Sequence, residues 1–505
     1  MRFKELATKL AQVLPESSVC YPDGLAVGAD NPEISALASD SRKITPGTMF
    51  ACVRGEHCDG HGFAPSAAES GAAALLCERP LSVRLPQIIL HGDIRRKMGV
   101  AASVLYGNPS SKLKMIAITG TNGKTTSAFL TRSILNKAGI KTGLLGTVYN
   151  MDGKRCEDAE HTTPEGSDLQ AWLNRMVLNG CGACVMETSS HAIDQGRIDG
   201  VLFDRAGFTN LTVEHLDYHI DMDSYFIAKR TLFDKYMRNN WTAAINLDDP
   251  YGRRLYEEYK DHAAGYCIDC AGGDAPQFSA RITGESALGM DIEMIFPDKS
   301  AKKFRLPLNG AYNVSNALQA ASLAWSLGIS AETCAAGLSG MSQVPGRLER
   351  YIIEDKGVAV IDFAHSPDGL EKVLTALRPV CAGRLIVAFG AGGDRDNSKR
   401  PLMGVAAARL ADYIIITSDN PRSEDPMKIA LMVEEGTKAY ATERVIILNR
   451  KDAIFTGLDM MEQGDIFVIA GKGPERYQIM KNETIPFLDK DQIQEWAELN
   501  GKKVI

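Results

Sequence analysis

The stretch MIAITGTNGKTT joins a glycine-rich turn to a lysine and two hydroxyl side chains. Gly120 and Gly123 allow the backbone to approach an anion closely, and the N–H groups at a helix start face such an anion. Lys124 would place a positive charge beside phosphate oxygens, and Thr125 offers a hydroxyl to Mg²⁺. The spacing is shorter than in the usual P-loop, because Ile118 stands where the first glycine belongs. We expect a nucleotide-phosphate site here, because a phosphate-free glycine turn seldom unites these residue types in this order.

Polar residues at the ends of two further predicted strands suggest where a metal binds. The stretch 183–191 is predicted to hold an apolar strand that ends in Glu187, and the stretch 206–219 a strand that ends in His215, Asp217 and His219. Ligands of open α/β sheets bind at the carboxyl ends of the strands. Glu187 and His215 are therefore candidate Mg²⁺ ligands, although each alone also fits a helix cap or an ion pair.

The elements that must position these residues alternate between strand and helix. The helix that begins at Lys124 is predicted to run to about Lys137, with Gly139 ending it, and a strand is expected over 142–147. Lys229 lies on a predicted helix, SYFIAKRTLFDKYM, which also fits an amphipathic surface helix. Residues 271–309 are predicted to form a β-rich insertion.

Length and composition fit a globular α/β chain of three domains. With 505 residues and 45% hydrophobic residues, the chain is long enough for about three cores. We place the domain bounds at 1–93, 94–343 and 344–505. The last domain alternates apolar strands with helices, which predicts a doubly wound parallel sheet, and polar clusters again follow its strands. One cluster, GAGGDRD, matches a dinucleotide-binding fingerprint only weakly.

Charge and cysteine usage exclude several classes of protein. The net charge of −7 argues against a nucleic-acid surface, and no stretch approaches the ~18 apolar residues of a membrane span. The N-terminal stretch has charged residues and a proline where a signal peptide needs an apolar core, so we expect a cytoplasmic protein. The pairs Cys181/Cys184 and Cys267/Cys270 lie too far apart in sequence for a compact zinc site, and ordinary packing is the favoured interpretation.

Short motifs in all three predicted domains form one set: TGTNGKTT, METSSH, TNLTVEHLDYH, NGAYNVSNALQA, PGRLE, DFAHSPDGL, GGDRDNSKRP, DNPRSEDP and GKGPE. Together they resemble the ATP-dependent Mur ligases of bacterial cell-wall synthesis, most closely the tripeptide-forming, MurE-type branch. The resemblance covers essentially the whole chain, although residues 271–300 match nothing diagnostic. It implies an N-terminal UDP-binding domain, a central P-loop ATPase domain with a parallel sheet, and a C-terminal Rossmann-like domain.

The resemblance also implies a reaction. A substrate carboxylate attacks the γ-phosphate of ATP to give an acyl phosphate and ADP, and an incoming amine then displaces phosphate to form an amide. The implied catalytic residues are Lys124, Glu187, His215 and Lys229. The implied Mg²⁺ ligands are Thr125, Glu187, His215 and Lys229, the last as a carbamate formed with CO₂. The implied ATP-binding residues are Gly120, Thr121, Asn122, Gly123, Lys124, Thr125, Thr126, Asn313, Asn316, Arg347 and Asp362.

By the same resemblance, the acceptor is UDP-N-acetylmuramoyl-L-Ala-D-Glu and the added amino acid is meso-2,6-diaminopimelate. Near Ser41 and His57, solvated loops are the interpretation that the residues alone favour, but the resemblance implies a UDP site. The implied acceptor-binding residues are Ser41, His57, Thr162, Thr163, Ser189, Gln195 and Arg197. The implied diaminopimelate-binding residues are Arg395, Asp419, Asn420, Pro421, Arg422, Gly471 and Glu475. Arg422 would select the extra carboxylate, although a surface ion pair with Glu424 or Asp425 is its ordinary alternative.

Other interpretations share part of this pattern. A lysine-adding ligase of the same family would share every ATP motif, and folylpolyglutamate synthetase shares the P-loop but not the N-terminal motif around Ser41. A P-loop kinase or a nucleotide switch protein would release a phosphorylated product or phosphate alone. A non-catalytic ATP-binding scaffold fits least, because so many polar strand ends converge. We expect small-molecule partners and a monomer.

Overall fold

The computed structural model describes residues 1–23, 30–55, 58–268 and 277–505. They form two compact units, one of Met1–Phe278 with Asn316–Gly337 and one of Ser279–Ser315 with Leu338–Ile505. The predicted α/β class is confirmed, because parallel strands and helices alternate in both units. Within the described ranges, no helix is both long and apolar enough to span a membrane.

The first unit begins with a small five-stranded sheet in the order β1-β5-β4-β3-β2, in which β1 is antiparallel and the other strands are parallel. Apolar side chains of the first and third helices pack with its strands in one core. Its strands and helices are α1 Phe3–Val13, β1 Ser18–Cys20, β2 Ala36–Ala38, β3 Thr48–Ala51, α2 Ala64–Glu69, β4 Ala74–Cys77, β5 Gln87–Ile89 and α3 Ile94–Leu105.

The strands of the central region follow the order β13-β12-β11-β6-β10-β7-β8-β9, parallel from β13 to β7. The middle strands are almost entirely buried, as their continuous apolar runs predict. The elements are β6 Lys114–Thr119, α4 Lys124–Lys137, β7 Thr142–Leu145, β8 Tyr149–Met151, β9 Cys156–Asp158, α5 Gly166–Leu178, β10 Ala183–Glu187, α6 Ser190–Asp194, β11 Phe203–Phe208, α7 Leu216–His219, α8 Met222–Lys235, β12 Met237–Asn246, α9 Pro250–Glu258 and β13 Ala263–Ile268.

The strand predicted within 183–191 ends at Glu187, as expected, and the residues after Glu187 do not continue it. The Ser189 side chain accepts a hydrogen bond from the backbone N–H of Ala192 and so caps a short helix, α6. The strand predicted over 206–219 instead ends at Phe208. His215 has a left-handed backbone, φ 57°, and a second short helix follows it. Both strands therefore end in turns that carry the polar residues.

The second unit contains a three-stranded antiparallel segment and a six-stranded sheet in the order β17-β18-β22-β19-β20-β21, parallel except for β17. The antiparallel segment confirms the predicted β-rich insertion within the described residues. Most of α10 and α11, residues 316–337, belongs to the first unit. The remaining elements of the chain are β14 Phe278–Ser286, β15 Gly289–Ile295, β16 Ala301–Leu306, α10 Ala311–Trp325, α11 Ala331–Ser339, β17 Glu349–Ile352, β18 Val358–Asp362, α12 Pro367–Leu377, β19 Leu385–Phe389, α13 Lys399–Leu410, β20 Tyr413–Ile416, α14 Pro426–Thr437, β21 Glu443–Ile446, α15 Arg450–Met460, β22 Ile466–Ala470, β23 Tyr477–Ile479, β24 Thr484–Pro486 and α16 Asp489–Leu499.

Strands β23 and β24 form a separate antiparallel hairpin after the last strand of the six-stranded sheet. Helices α12, α13 and α14 contribute to one core of that sheet, and α15 and α16 to the other. The doubly wound arrangement predicted for the last third is therefore present.

Candidate active site

The glycine turn between β6 and α4 has the geometry of a phosphate-binding loop. Gly120 has φ 141° and Gly123 has φ 86°, both in the region that favours glycine. A Cβ at Gly120 would lie 1.9 Å from the Thr209 hydroxyl oxygen, and one at Gly123 would lie 2.3 Å from Asn316 Oδ1. Helix α4 begins at Lys124, as predicted, so its first N–H groups follow the turn directly.

Asn210 braces this loop from the end of β11. Its backbone carbonyl accepts the Thr121 N–H at 2.8 Å, and its side-chain oxygen accepts the Asn122 N–H at 3.0 Å. Its side-chain nitrogen donates to the Asn122 carbonyl at 3.2 Å. Sequence reasoning assigned no role to Asn210, although its place in TNLT, directly after a strand, was the available signal. The loop is thus fixed from two segments of the chain.

Lys124 lies back along the loop, where its Nζ donates to the carbonyls of Gly120 and Thr121 at 2.9 and 2.7 Å. Thr125 and Thr126 are buried in the first turn of the helix. The structure therefore places all the predicted loop residues in the glycine turn and the first turn of α4. The lysine head group is held against the glycine turn by its two backbone carbonyl partners.

A carboxylate stands beside the loop at the end of β10. Glu187 is 1% exposed, and its Oε2 accepts hydrogen bonds from the hydroxyls of Thr125 and Thr147, both at 2.9 Å. Its Oε1 accepts the Thr147 N–H at 2.9 Å. The turn of Thr147 toward Glu187 also explains why β7 ends at Leu145, before the predicted end of that strand. Thr147 was not predicted as a site residue.

Lys229 reaches the same loop from α8. It is 1% exposed, and its Nζ donates to the Gly120 carbonyl at 2.8 Å and lies 4.5 Å from the centre of the Tyr225 ring. Burial, aided by the charge of Lys124, lowers the pKa of Lys229 well below its usual value. The alternative of an amphipathic surface position is therefore wrong for this residue.

His215 lies among aromatic rings, one of which, that of Tyr225, also contacts Lys229. Its ring centre is 6.1 Å from that of Tyr225 and 4.8 Å from that of His191. Within the described residues, no three histidine, cysteine, aspartate or glutamate side chains lie close enough together to hold a metal ion. A magnesium site here would therefore also need the threonine hydroxyl, the phosphates or a modified lysine.

Four predicted acceptor-binding residues form one hydrogen-bonded group around Thr163, and a fifth, Thr162, is bonded to Thr147 beside it. Its hydroxyl donates to the Glu187 carbonyl at 2.9 Å and accepts the Ser189 N–H at 3.1 Å, and its carbonyl accepts from Arg197 at 3.3 Å. Arg197 also donates to the Gln195 side chain at 2.8 and 3.0 Å. The Thr162 hydroxyl lies 3.1 Å from that of Thr147. This group directly adjoins the Glu187 carboxylate.

Glu165, a residue not predicted, lies 3.2 Å from Arg197 and accepts two hydrogen bonds from Arg95. Ser41 begins a 3₁₀ turn, Ser41–Lys43, that is capped by the Asp40 carboxylate. His57, predicted to bind the UDP end, lies outside the described residues. Of the predicted acceptor-binding residues, those around Thr163 are thus connected to each other, whereas Ser41 lies in a separate turn.

The predicted adenosine-contacting residues fall in both units. Asn316 belongs to the first unit, where its Oδ1 accepts from the Ser127 hydroxyl at 3.3 Å. Asn313 belongs to the second unit and donates to the Asn309 carbonyl at 2.8 Å. The carboxylate of Asp362, in the same unit, accepts the N–H groups of Leu348 and Ala364, both at 2.8 Å. The Arg347 guanidinium stacks 4.9 Å from the centre of the Phe363 ring.

Six of the seven predicted diaminopimelate-binding residues follow β20 and β22 in the second unit, and the seventh, Arg395, follows β19. Asn420 Nδ2 donates to Glu475 Oε2 at 2.9 Å. A Cβ on Gly471, where φ is 111°, would lie 2.6 Å from Asp419 Oδ2, so this position needs glycine. Pro421 follows Asn420 in the chain, and Arg395 is exposed on the loop after β19. Arg395 Cγ lies 3.7 Å from the position of a Cβ on Gly392.

Arg422 has a left-handed backbone, φ 52°, and its Nη1 donates to the Gly393 carbonyl at 2.7 Å. Within the part of the chain that the structure describes, no carboxylate lies within ion-pair distance of its guanidinium. Glu424, the expected alternative partner, is instead bound by Arg400 at 2.8 and 2.9 Å. The ordinary alternative for Arg422, a surface ion pair, is therefore wrong. Its charge remains available to a bound anion.

Comparisons with known proteins agree with this geometry. Three family models match: "Mur ligase family, catalytic domain" at residues 33–105, "Mur ligase middle domain" at 118–324, and "Mur ligase, glutamate ligase domain" at 346–473. The UDP-N-acetylmuramoyl-L-alanyl-D-glutamate–2,6-diaminopimelate ligase of Synechococcus elongatus is 44% identical over 469 residues, 91% of this chain and 93% of that protein. The chain belongs to the Mur ligase family.

Two further relatives of this Mur ligase carry the same printed name. The protein from Geobacillus kaustophilus is 42% identical over 465 residues, 91% of this chain and 94% of its own. A solved structure of such a ligase is 29% identical, with a TM-score of 0.65 over 93% of this chain and 95% of its own. The family, fold class and ligase class predicted from the motifs are confirmed.

Proposed function

We propose that this Mur ligase adds meso-2,6-diaminopimelate to the D-glutamate of UDP-N-acetylmuramoyl-L-Ala-D-Glu, with ATP converted to ADP and phosphate. The observation that carries the choice of amino acid is the Arg422 guanidinium, which has no carboxylate partner among the described residues and stands on the same short segment as Asn420. Lysine and diaminopimelate differ by one carboxylate at the far end of the side chain. A planar guanidinium matches that carboxylate bidentately, whereas bound lysine would leave the guanidinium unpaired.

The first step needs the acceptor carboxylate and the γ-phosphorus in one place. We assign the acceptor peptide to the group around Thr163, because it adjoins Glu187 and, through Thr125, the loop. A carboxylate oxygen of D-glutamate bonds to the γ-phosphorus as the bond to the ADP oxygen breaks, which gives the acyl phosphate. Lys124 and the N–H groups at the start of α4 would stabilise the phosphate charge, since phosphoryl transfer depends mainly on position and electrostatics.

The second step joins the amino acid. The unprotonated amine of diaminopimelate bonds to the acyl carbon, phosphate leaves with its bonding electrons, and the nitrogen loses a proton. Asp419, Asn420, Arg422 and Glu475 would orient the amino acid for this attack. Asn313, Asn316, Arg347 and Asp362 are assigned to the adenosine, and Ser41 and His57 to the UDP end. We assign these roles to domains at 1–93, 94–343 and 344–505.

The residues beside the loop fit Mg²⁺ by donor type. The Thr125 hydroxyl and the Glu187 carboxylate are hard oxygen ligands held 2.9 Å apart, and His215 and Lys229 each neighbour the Tyr225 ring. When bound, Mg²⁺ would neutralise charge on the phosphates. Lys229 is proposed to carry a carbamate. Its neutral amine would bond to the carbon of CO₂ and lose a proton, and its lowered pKa favours that neutral form.

A product assay tests the function directly. Purified protein is mixed with ATP and UDP-N-acetylmuramoyl-L-Ala-D-Glu, and diaminopimelate or lysine is added. We expect continued ADP release, beyond one turnover, only when the acceptor and diaminopimelate are both present, with a UDP-tripeptide as the product. Better turnover with lysine would reassign the amino acid within the family, and continued ADP release without any amino acid would favour a kinase or switch protein. A monomer in the cytoplasm, acting in peptidoglycan precursor synthesis, is part of the proposal.

A further inference from the structure

Lys472 is a buried cation in the turn after β22, and no role has yet been assigned to it. It is 0% exposed and stands between Gly471 and Gly473, both with positive φ. Its Nζ donates to Glu475 Oε2 at 2.9 Å, Asn420 Oδ1 at 3.3 Å and the Tyr477 carbonyl at 2.5 Å. An ammonium has three N–H donors, so every donor of Lys472 has an oxygen partner.

These bonds orient two of the proposed diaminopimelate-binding residues. Asn420 Oδ1 accepts from Lys472 and also from the Ile479 N–H at 2.9 Å, so the amide nitrogen must point the other way, toward Glu475. Glu475 Oε2 therefore holds two donors, Lys472 Nζ and Asn420 Nδ2. Its other oxygen, Oε1, has no hydrogen-bond partner among the residues described. One oxygen of Glu475 is thus fixed and the other is left to accept from a ligand.

Strand β23 holds the backbone of the loop after β20, which contains Asp419, Asn420 and Arg422. Gln478, only 6% exposed, donates from its side chain to the Asp419 carbonyl at 2.7 Å. The Ile479 carbonyl accepts the Arg422 N–H at 3.1 Å. Consecutive residues of one strand therefore contact Asp419, Asn420 and Arg422. The strand lies beyond residue 473, where the match to the C-terminal family model ends.

The loop presents charges of both signs. Asp419 and Glu475 carry negative charge, and Arg422 and Lys472 carry positive charge. The buried Arg450 also acts on both carboxylates, Lys399 acts on Asp419, and Asp394 acts on Arg422. A zwitterionic group, with one ammonium and one carboxylate, can pair with both signs. A lone ammonium, the side-chain end of lysine, gains less from Glu475 because Lys472 offsets that carboxylate.

We propose that Lys472, together with strand β23, is a positioning element for amino-acid selection. It fixes the orientation of Asn420 and Glu475 and offsets the charge of Glu475, so that the site favours a zwitterionic side-chain end over a single ammonium. This inference rests on the proposed function for the identity of the amino acid. A purely structural role for Lys472 would instead lower thermal stability and leave the choice of amino acid unchanged.

The test compares Lys472→Met and Lys472→Arg with a matched control, Lys372→Met, which removes an exposed lysine paired with Asp368 at 2.7 Å. For each protein, kcat and KM are measured with diaminopimelate and with lysine, KM is measured for ATP, and Tm is recorded. For Lys472→Met we expect KM for diaminopimelate to rise about tenfold or more, and the diaminopimelate-to-lysine ratio of kcat/KM to fall about tenfold. KM for ATP should stay within about twofold. Lys472→Arg should retain most of the ratio, and the control should match the wild type.

A second variant keeps the test decisive if Lys472→Met does not fold. Gln478→Met removes the bond to the Asp419 carbonyl without changing any charge, and we expect a several-fold rise in KM for diaminopimelate with KM for ATP unchanged. An unchanged KM for the amino acid in whichever folded variant is obtained would overturn the inference. The wild-type assay separates the two proposals. If the wild type uses lysine and not diaminopimelate, the proposed amino acid and its selection by Lys472 are wrong. The positioning role is then tested by whether the variants raise KM for lysine above the wild-type value.

Discussion

Two lysines are buried among the residues that the structure describes, and their partners differ in charge. Lys229 is 1% exposed and donates to one backbone carbonyl, that of Gly120. No carboxylate of the described chain lies within ion-pair distance of its Nζ. Lys472 is 0% exposed and has three oxygen partners, one of them the Glu475 carboxylate.

This difference separates two uses of a buried amine. Removing a cation from water is costly, and without a nearby anion the group tends to lose its proton. Lys229, beside the phosphate loop, is therefore suited to react as a neutral amine. Lys472, which is ion-paired, is suited to remain a fixed donor that orients its neighbours. The phosphate region, around the turn from Gly120 to Gly123, thus has a reactive lysine. The amino-acid region, around Asn420 and Glu475, has a lysine that orients its neighbours.

The largest effect should come from Lys124. It follows the glycine turn directly and, unlike the other two lysines, is only partly buried. Lys124→Met should lower ATP turnover by roughly 10³-fold or more, the size expected when a cation at the transferring phosphoryl group is lost. Steady-state ADP release measures it, with Lys137→Met at the far end of the same helix as the control. Near-normal turnover in a folded Lys124→Met protein would refute the assigned phosphate loop.

The reactive role of Lys229 should be visible as a chemical modification. Lys229→Ala should lose about 10²- to 10³-fold in kcat, because the proposed carbamate supplies negative charge beside the phosphates. Formate or acetate should restore part of the activity by supplying a small carboxylate. The exposed Lys235→Ala, on the same helix, should behave as the wild type. If native mass spectrometry found no CO₂ adduct in active protein, Lys229 would not carry the proposed carbamate, and its reactive role would be wrong.

The two regions also differ in how far sequence reasoning reaches. The phosphate loop consists of consecutive residues. Local rules therefore predicted its strand, its turn and a helix from Lys124 to Lys137. The bracing by Asn210 was not, because it joins residues 88 positions apart in the chain. Periodicity and turn chemistry carry no information about such a distant partner.

The amino-acid region shows the same limit more strongly. Motifs marked Asp419, Asn420, Arg422 and Glu475 as candidates, but the bond between Lys472 and Asn420 spans 52 residues. Tertiary structure was also needed to decide whether Arg422 forms a surface ion pair or has no carboxylate partner. Glu424 is two residues away in sequence, yet it is bound by Arg400. Local spacing therefore predicted which residues belong to the region and could not predict which of them pair with each other.

Substitution of Arg422 tests whether the proposed diaminopimelate-binding residues select diaminopimelate over lysine. Arg422→Ala should lower kcat/KM for diaminopimelate by about 10²-fold, since truncating one partner of a charge pair costs about 2–5 kcal/mol. Arg422→Lys should recover only part of this loss, because an ammonium cannot bind a carboxylate bidentately. KM for ATP should not change, and Arg409→Ala, which removes an exposed arginine beside Glu371, is the control. Equal losses with lysine and diaminopimelate would show that Arg422 does not discriminate.

The smallest effect, on stability, tests the comparison without any substrate. The pKa of Lys229 is lowered in the folded protein by burial, and the ordinary lysine value of 10.5 applies in the unfolded chain. Between these two values the unfolded chain binds a proton that the folded protein does not, so the free energy of unfolding rises with pH. Relative to Lys229→Met, which has no proton to bind, the wild type should gain up to about 1.4 kcal/mol per pH unit across that window and nothing further above it. Urea unfolding of CO₂-free protein at a series of pH values measures the difference, with Lys235→Met as the control. Parallel curves for the wild type and Lys229→Met would mean that Lys229 keeps its proton when buried, and the two lysines would then not differ as proposed.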